Sequence, residues 1–358
     1  MDSIEEKRVF GDRGGAVQAY VASSIGVVRV HIAGDTVGEF SLCVRCDARD
    51  IATTQTGRVV VATDEDVRVE AYPVHSDDDG DENTASEFSL RDTGFGPATA
   101  VGVTGSTILA AGPDGTVRFL QDERGDDGQD GWRDSDWQEL EFGPSNGSGR
   151  DDRRTPTSIR AIDGDLLATD AGVYRLREAD RAWVLEHAGL TDVVDVSAAA
   201  VPLAATADGL YRLGNGWMEV LEGAFETVTA DPQAEPGRLS RAHAVTTTGA
   251  ATAAGTAETA AEARGAETTE TDLYAFEDGG WEQVSVERVN ENIVDIGYGP
   301  RATSEQEATT GLESVYAVTE SGTVLVSTTE PGEATAPDRW RQRSVGVTGV
   351  TGLAVRPD

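Results

Sequence analysis

Two cysteines have the clearest potential for chemistry in this sequence. Cys43 and Cys46 form the motif Cys-Val-Arg-Cys, and the chain contains no other cysteine. Thiolates at this spacing bind zinc or form a disulfide, and neighbouring guanidinium groups such as those of Arg45 and Arg49 favour the reactive thiolate. The pair supplies only half of a four-ligand zinc site. Three interpretations stay open: structural thiols without chemistry, a metal site with zinc as the candidate cofactor, and a redox pair.

The other residues match no motif of a known catalytic type. The 4 histidines are not spaced three or four residues apart, and no glycine-rich phosphate loop or His-Glu-x-x-His string occurs. A glycosidase needs two carboxylates across the scissile bond, but 64 acidic residues give no basis for choosing a pair. Two acidic runs depart from the calcium-loop pattern, at Glu82 and Gly128. We therefore assign no catalytic and no cofactor-binding residue.

The charge of the chain excludes two classes of partner. The 358 residues include 64 Asp and Glu against 29 Lys and Arg, which gives a net charge of −35. Nucleic acids and anionic membranes attract clusters of Lys and Arg, and this surface would repel both. We expect a protein or a small molecule as the partner.

The composition also indicates a compartment. The chain opens without the basic and apolar segments of a signal peptide, its apolar stretches are shorter than the ~18 residues of a membrane helix, and cysteine is scarce. The acidic excess with a single lysine, Lys7, resembles proteins of extreme halophiles. At molar salt the Debye length is only ~3 Å, so the repulsion between surface charges is screened. The sequence thus predicts a cytoplasmic protein whose stability depends on salt.

A repeat defines the elements that must position any site. The segments 166–176 and 203–213 align almost residue by residue, and each consists of an apolar run, a short turn with Gly, and a second apolar run. Asp-Gly and Ser-Gly between β-rich runs indicate hairpins. Related hairpins lie at 17–30, 59–69, 108–120, 242–276 and 315–326.

Each hairpin is flanked by two further apolar segments, and this predicts seven blades of four antiparallel strands. A tryptophan opens the outer segment in most units: Trp137, Trp183, Trp217, Trp281 and Trp340. We interpret these side chains as packing between blades, with sugar stacking as the alternative. The segment 350–355 has no hairpin after it, and the first hairpin has no strand before it. Joining the two chain ends would close the ring.

The fold class predicted is therefore an all-β, seven-bladed β-propeller that forms a single domain over residues 1–358. Acidic or glycine-rich insertions interrupt it near 75–86, 121–136, 143–156, 231–241, 249–271, 299–312 and 328–339. If the four strands of each blade are numbered from the axis outward, most insertions fall on one face of the ring. That face carries the loops from the first to the second strand and from the third to the fourth strand. Tight turns dominate the opposite face, which we take as the ligand-binding face because propellers bind ligands near the axis.

The chain resembles a known family along its whole length. It is similar to a haloarchaeal family of β-propeller proteins, and the similarity lies in Glu6–Asp12, Leu42–Cys46, Val61–Asp66, Arg160–Asp165 and Gly209–Trp217. Turns such as Phe276–Trp281 resemble degenerate Asp-box repeats. The architecture is WD40-like, although no Trp-Asp dipeptide occurs. The resemblance implies the fold and no established reaction.

Three functional hypotheses follow. The first is a non-catalytic propeller of a halophilic cytosol that binds a protein or small ligand through the tight-turn face and the axial channel. The second is a propeller hydrolase, of the glycosidase or lactonase kind, with a site in the channel. The third is a metal- or redox-linked protein that uses Cys43 and Cys46.

Overall fold

The computed structural model describes residues 16–72, 88–121, 136–143, 155–179, 182–246, 252–253, 272–277, 279–284, 286, 291–299, 313–329 and 340–357. In this part of the chain 30 strands form seven sheets. The seven-bladed all-β propeller predicted from the sequence is confirmed, and we number the blades 1 to 7 around the ring.

Four strands of each blade follow one another from the axis outward. The innermost strands of blades 1 to 7 are β30 (Val350–Pro357), β4 (Ala48–Thr53), β8 (Ala100–Thr104), β13 (Ile159–Asp163), β17 (Val193–Ser197), β21 (Phe225–Ala230) and β26 (Ile293–Tyr298). The second strands are β1 (Ala16–Ser23), β5 (Val59–Thr63), β9 (Thr107–Ala111), β14 (Leu166–Thr169), β18 (Leu203–Thr206), β22 (Ala242–Thr246) and β27 (Glu313–Thr319).

The third strands are β2 (Gly26–Ala33), β6 (Val67–Glu70), β10 (Val117–Gln121), β15 (Gly172–Ala179), β19 (Gly209–Leu213), β24 (Leu273–Glu277) and β28 (Thr323–Thr329). The outer strands are β3 (Thr36–Val44), β7 (Leu90–Asp92), β11 (Gln138–Glu139), β16 (Ala182–Gly189), β20 (Trp217–Glu222), β25 (Gly280–Val284) and β29 (Arg341–Ser344). Two short strands extend the outer edges of blades 4 and 5. β12 (Glu141–Phe142) pairs parallel with β16, and β23 (Thr252–Ala253) pairs antiparallel with β20.

The chain ends close the ring as predicted. β30 is the innermost strand of blade 1 and pairs antiparallel with β1, with Val355 opposite Ala19 and Leu353 opposite Val21. Blade 1 therefore takes its innermost strand from the end of the described chain and its other three strands from the beginning. This pairing completes the four-stranded sheet of blade 1 and closes the ring of blades.

The hydrophobic core is divided among the seven contacts between blades. Each of seven clusters of buried side chains combines residues from two neighbouring blades. Trp137, Trp217, Trp281 and Trp340 belong to four of these clusters, as expected for tryptophans that pack between blades. Trp183 is 39% exposed and takes no such position.

Buried hydroxyl groups close the hairpins between second and third strands. Thr169 Oγ1 donates to Gly172 O over 2.7 Å, and Thr206 Oγ1 donates to Gly209 O over 2.9 Å. Gly172 has φ of 117°, and a Cβ atom there would lie 2.4 Å from Leu190 O. Only glycine fits this turn, because it tolerates positive φ and has no side chain to clash.

Of the predicted insertions, only 231–241 lies wholly in the described part of the chain. We call this segment the strap; most of its residues are exposed, but three of them are buried. Asp231, Ala234 and Arg241 are buried, and Leu239 packs against the cluster between blades 5 and 6. The two acidic runs weighed as calcium loops, 77–82 and 126–131, lie outside the described residues.

Candidate functional site

A cavity of about 390 Å³ lies on the axis of the ring, and all seven innermost strands contribute to its wall. Small residues allow these strands to approach one another. A Cβ atom at Gly102 would lie 2.5 Å from Ile162 Cγ2, and one at Gly297 would lie 2.7 Å from Val355 Cγ2. Glycine at these two positions therefore sets the width of the channel.

Three carboxylates occupy the same repeat position around this cavity. Asp50 in β4, Asp195 in β17 and Asp295 in β26 each follow a register irregularity in the pairing with the second strand. Such a bulge re-aims the side chain that follows it. A fourth carboxylate, Asp163, lies at the end of β13 and also lines the cavity.

Each of these carboxylates joins one blade to the next. Asp50 Oδ1 accepts from Ile51 N in its own strand over 2.8 Å, and its Oδ2 accepts from Val101 N of blade 3 over 2.8 Å. Asp195 repeats this arrangement with Val196 N and Val228 N, both at 2.8 Å.

Asp295 does the same with Ile296 N and Leu353 N, both at 2.7 Å, which links blade 7 to blade 1. Asp163 Oδ2 accepts from Ala198 N of blade 5 over 2.7 Å. The backbone amides therefore fix these carboxylates in place.

The cavity shifts the proton affinity of the four carboxyl groups. Burial raises the pKa of Asp50 and of Asp295 to about 7, against the lowering effect of their backbone hydrogen bonds. Asp163 is exposed, but desolvation by the surrounding cavity wall raises its pKa, and burial raises that of Asp195 well above its ordinary value. Repulsion among the four adds to the effect. The described residues that line the cavity include no Lys, Arg or His.

A buried polar network supports one side of the cavity wall. Tyr298 is one of the lining residues, and its hydroxyl lies 2.8 Å from His243 Nδ1 and donates to Thr229 O over 3.3 Å. Burial lowers the pKa of His243 to about 3, so the imidazole is neutral. Its Nε2 has no hydrogen-bond partner among the described residues. These contacts hold the Tyr298 ring in one orientation.

Arg241 anchors the strap to the same wall. Its guanidinium pairs with Asp231 and Glu313, each over 3.0 Å, and lies 4.8 Å from the centre of the Tyr298 ring. Arg241 and Asp231 are 6% and 0% exposed. Asp231 and Glu313 therefore balance the positive charge of Arg241.

The strap reaches across three blades at one end of the cavity. Gly237 N donates to Ala200 O of blade 5 over 2.9 Å, and Gln233 Nε2 donates to Gly299 O of blade 7 over 2.8 Å. Pro232 lines the cavity itself. The cavity thus lies toward the first-to-second loops. The sequence predicts ligand binding through the tight-turn face and the axial channel. The cavity lies in the axial channel, nearer the face opposite the tight turns.

The structure places Cys43 and Cys46 away from this cavity, at the junction of blades 1 and 2. Both thiols are free, and Cys43 Sγ lies 3.7 Å from Ser41 O. Burial raises the pKa of the Cys46 thiol, although the neighbouring Arg68 opposes this shift. Among the described residues, no group of three or more His, Cys, Asp or Glu is arranged to hold a metal ion. The zinc and redox interpretations stay predictions.

Sequence reasoning missed the channel carboxylates. Their signal was present as an acidic residue inside an apolar innermost strand, in Arg49-Asp50-Ile51, Val194-Asp195-Val196 and Val294-Asp295-Ile296. A charged residue recurring at one register position of a buried repeat needs a partner, and here the partner is the backbone of the next blade.

These features define a seven-bladed β-propeller with an acidic axial cavity. The sequence matches the model of the family described as HVO_0234-like, beta propeller, over residues 3–356, and the chain belongs to that family. A comparison with curated proteins gave no match. No helix that is long and apolar enough to cross a membrane occurs in the described part of the chain.

Two solved structures illustrate the likeness of the fold. The apo structure of AztD from Citrobacter koseri is 11% identical, with a TM-score of 0.53 over 96% of this chain and 98% of that chain. The β-propeller domain of Cps50 (Swd1) from Myceliophteria thermophila is 9% identical, with a TM-score of 0.50 over 86% and 89%. At these identities the likeness concerns the fold alone.

Proposed function

We propose that this protein is a non-catalytic binding propeller whose axial cavity holds a small, positively charged molecule. The observation that carries the proposal is the cavity itself. It measures about 390 Å³, is walled by all seven innermost strands, and contains four carboxylates without a Lys, Arg or His among its described lining residues.

The chemistry of the wall favours a cation over a neutral ligand. Each carboxylate oxygen of Asp50, Asp195 and Asp295 accepts one backbone N–H, and a carboxylate oxygen has lone pairs for a second hydrogen bond. An ammonium or guanidinium group would supply both the missing donors and the missing countercharge. Charge interactions are strong in such a site because the surrounding protein is less polarisable than water.

A matched pair of probes tests this proposal. Putrescine and 1,4-butanediol have the same carbon chain, but only putrescine carries charges. We expect isothermal titration calorimetry to show putrescine binding with one site per chain and no binding of the diol. Equal binding of the two probes, or binding of neither probe nor of choline or agmatine, would overturn the proposal.

Two variants locate the binding. Asp195→Asn removes one channel charge and should weaken putrescine binding, while Glu39→Gln removes an exposed charge on the outer strand of blade 1 and should leave it unchanged. Equal weakening by both changes would mean that putrescine binds the acidic surface rather than the cavity.

A propeller hydrolase is the second candidate. One observation favours it, because the pKa of about 7 for Asp50 and for Asp295 is that of a general acid at neutral pH. Turnover of chromogenic glycosides or lactones that disappears in Asp50→Asn and persists in Glu39→Gln would support this candidate over the binding proposal.

We also propose a halophilic cytosol as the setting, with no nucleic acid or membrane partner, on the basis of the net charge of −35. At low salt these charges repel one another, and molar salt screens them. The melting temperature should therefore rise steeply between ~0.1 M and ~2 M potassium chloride. A melting temperature that does not change over this range would contradict the halophilic assignment.

Zinc at Cys43 and Cys46 stays a separate proposal. The two free thiols lie near each other in sequence, and any further ligand would have to come from outside the described residues or from solvent. Elemental analysis of the purified protein and of the Cys43→Ser, Cys46→Ser variant decides the matter. Stoichiometric zinc in the wild type alone would support the proposal.

A further inference from the structure

We infer that the axial cavity exchanges protons for its ligand, so that each cation that enters displaces protons from the shared channel carboxylates. This inference rests on the proposed function and names the regulation of the same site.

All of the charged residues among those that line the cavity in the described part of the chain are acidic. Acidic side chains come from four of the innermost strands, as Asp50, Asp163, Asp195 and Asp295. The lining residues from β8, β21 and β30 are uncharged. The charge of Asp163 raises the pKa of each of the other three carboxyl groups. The charge of Asp165, in the turn that follows β13, raises the pKa of Asp163.

The guanidinium of Arg241, beside the cavity wall, does not balance these charges. Arg241 lies behind the Tyr298 ring at 4.8 Å and is already paired with Asp231 and Glu313 at 3.0 Å. His243, next to Tyr298, is neutral because burial lowers its pKa. The cavity therefore faces four acidic groups and no uncompensated cation among the described residues.

The backbone prevents the carboxylates from separating. Asp50, Asp195 and Asp295 each accept two N–H groups from two different blades, at 2.7 to 2.8 Å. Rotation of a side chain away from the others would leave buried N–H groups without an acceptor, which is unfavourable. Mutual repulsion can therefore be relieved in only two ways, by protonation or by a cation in the cavity.

The two forms of relief compete. Burial raises the pKa of Asp50 and of Asp295 to about 7, so the empty cavity retains protons near neutral pH. A bound cation stabilises the ionised carboxylates, lowers their pKa and releases the protons. By linkage, cation affinity then rises with pH up to about 7 and levels off above it. For one displaced proton, the affinity should differ about 30-fold between pH 5.5 and pH 8.

Calorimetry of the full chain with putrescine tests the exchange. Titrations at pH 6.5 in two buffers with different ionisation enthalpies should give different heats, since the buffer takes up the released protons. We expect release of at least half a proton per putrescine and a rise in affinity between pH 5.5 and pH 8. Binding with a buffer-independent heat and a constant affinity would overturn the exchange and leave the proposed function intact. Failure of putrescine, choline and agmatine alike to bind would overturn both.

Three variants assign the protons to the cavity. Asp195→Asn and Asp163→Asn should each lower the number of protons released, whereas Glu39→Gln should release as many as the wild type. If one channel variant does not fold, the other still provides the comparison. Direct measurement of proton release in weakly buffered wild-type protein provides an independent count. Unchanged release in a folded channel variant would contradict the assignment.

Discussion

Carboxylates on the surface of this propeller and carboxylates in its channel respond in opposite ways to their surroundings. A side-chain hydrogen bond from Thr36 lowers the pKa of the exposed Asp35, and a backbone hydrogen bond from Thr116 lowers that of Asp114. Asp50 and Asp295 also accept hydrogen bonds, yet burial raises their pKa to about 7. Removal from water therefore outweighs two good hydrogen bonds. The same residue type therefore has a lowered pKa in one region and a raised pKa in the other.

The ion pairs of the two regions differ in the same way. Arg241 and Asp231 are 6% and 0% exposed, whereas Arg341 and Asp35, on the outer rim, are 67% and 41% exposed. Water and salt screen the second pair, and its contribution to stability is small. The first pair is shielded from both, so that the loss of one partner leaves a buried charge uncompensated.

The largest effect should come from breaking the buried pair. Arg241→Met removes the guanidinium that pairs with Asp231 and Glu313, and we expect a loss of about 3–5 kcal/mol in the free energy of unfolding. Arg341→Met is the matched control and should change stability by about 1 kcal/mol or less. Urea denaturation at constant potassium chloride concentration measures both. Losses of similar size would contradict the contrast between the two regions.

A smaller loss should follow removal of one channel carboxylate. In Asp195→Ala, the amides of Val196 and Val228 lose their acceptor, and the junction of blades 5 and 6 loses a link. We expect a destabilisation of about 2–4 kcal/mol, since each unsatisfied buried N–H costs about 1–3 kcal/mol.

Glu39→Ala, on an exposed outer strand, provides the control, with an expected change within about 0.5 kcal/mol. A wild-type urea midpoint in Asp195→Ala would show that the carboxylate does not stabilise the junction between the blades.

A change in pH should alter the stability contributions of the channel carboxyls and of the surface carboxyls in opposite directions. The folded channel carboxyls have a raised pKa, so their contribution to stability is fully present below the unfolded value of about 4 and is lost as pH rises through about 7. Surface groups with a lowered pKa, such as Asp35 and Asp114, contribute stability that is lost as pH falls.

We therefore expect the free energy of unfolding to decline between pH 5 and pH 8, by roughly 1 kcal/mol per pH unit for each titrating channel group. Asp50→Asn should make this decline shallower, and Asp114→Asn should leave it unchanged. A decline of the same slope in all three proteins would exclude the channel groups as its source.

The two regions also differ in what the sequence predicted. The repeat around Leu166–Leu176 and Leu203–Leu213 was sufficient for the blade count, the hairpins and the closing strand, because turn glycines and apolar alternation act locally. A site in the axial channel was predicted, but the carboxylates that line it were not predictable in this way. Asp50, Asp163, Asp195 and Asp295 are far apart along the chain and meet only because the ring brings four innermost strands to one axis.

The strap was missed for a related reason. Residues 231–241 have the polar composition of a loop, yet the Arg241–Asp231 pair at the base of the strap and two hydrogen bonds hold it against blades 5 and 7. Composition reports the average character of a segment. It does not report which individual side chains find buried partners.

Site-resolved NMR titration of the aspartate carboxyl carbons tests the central claim most directly. We predict that the signals of Asp50 and Asp295 titrate near pH 7 in the free protein and at lower pH with putrescine bound, while those of Asp35 and Asp114 titrate below the ordinary aspartate value in both states. If the signals of Asp50 and Asp295 titrate with those of the surface aspartates and do not respond to putrescine, the account of an acidic, cation-binding axial cavity is wrong.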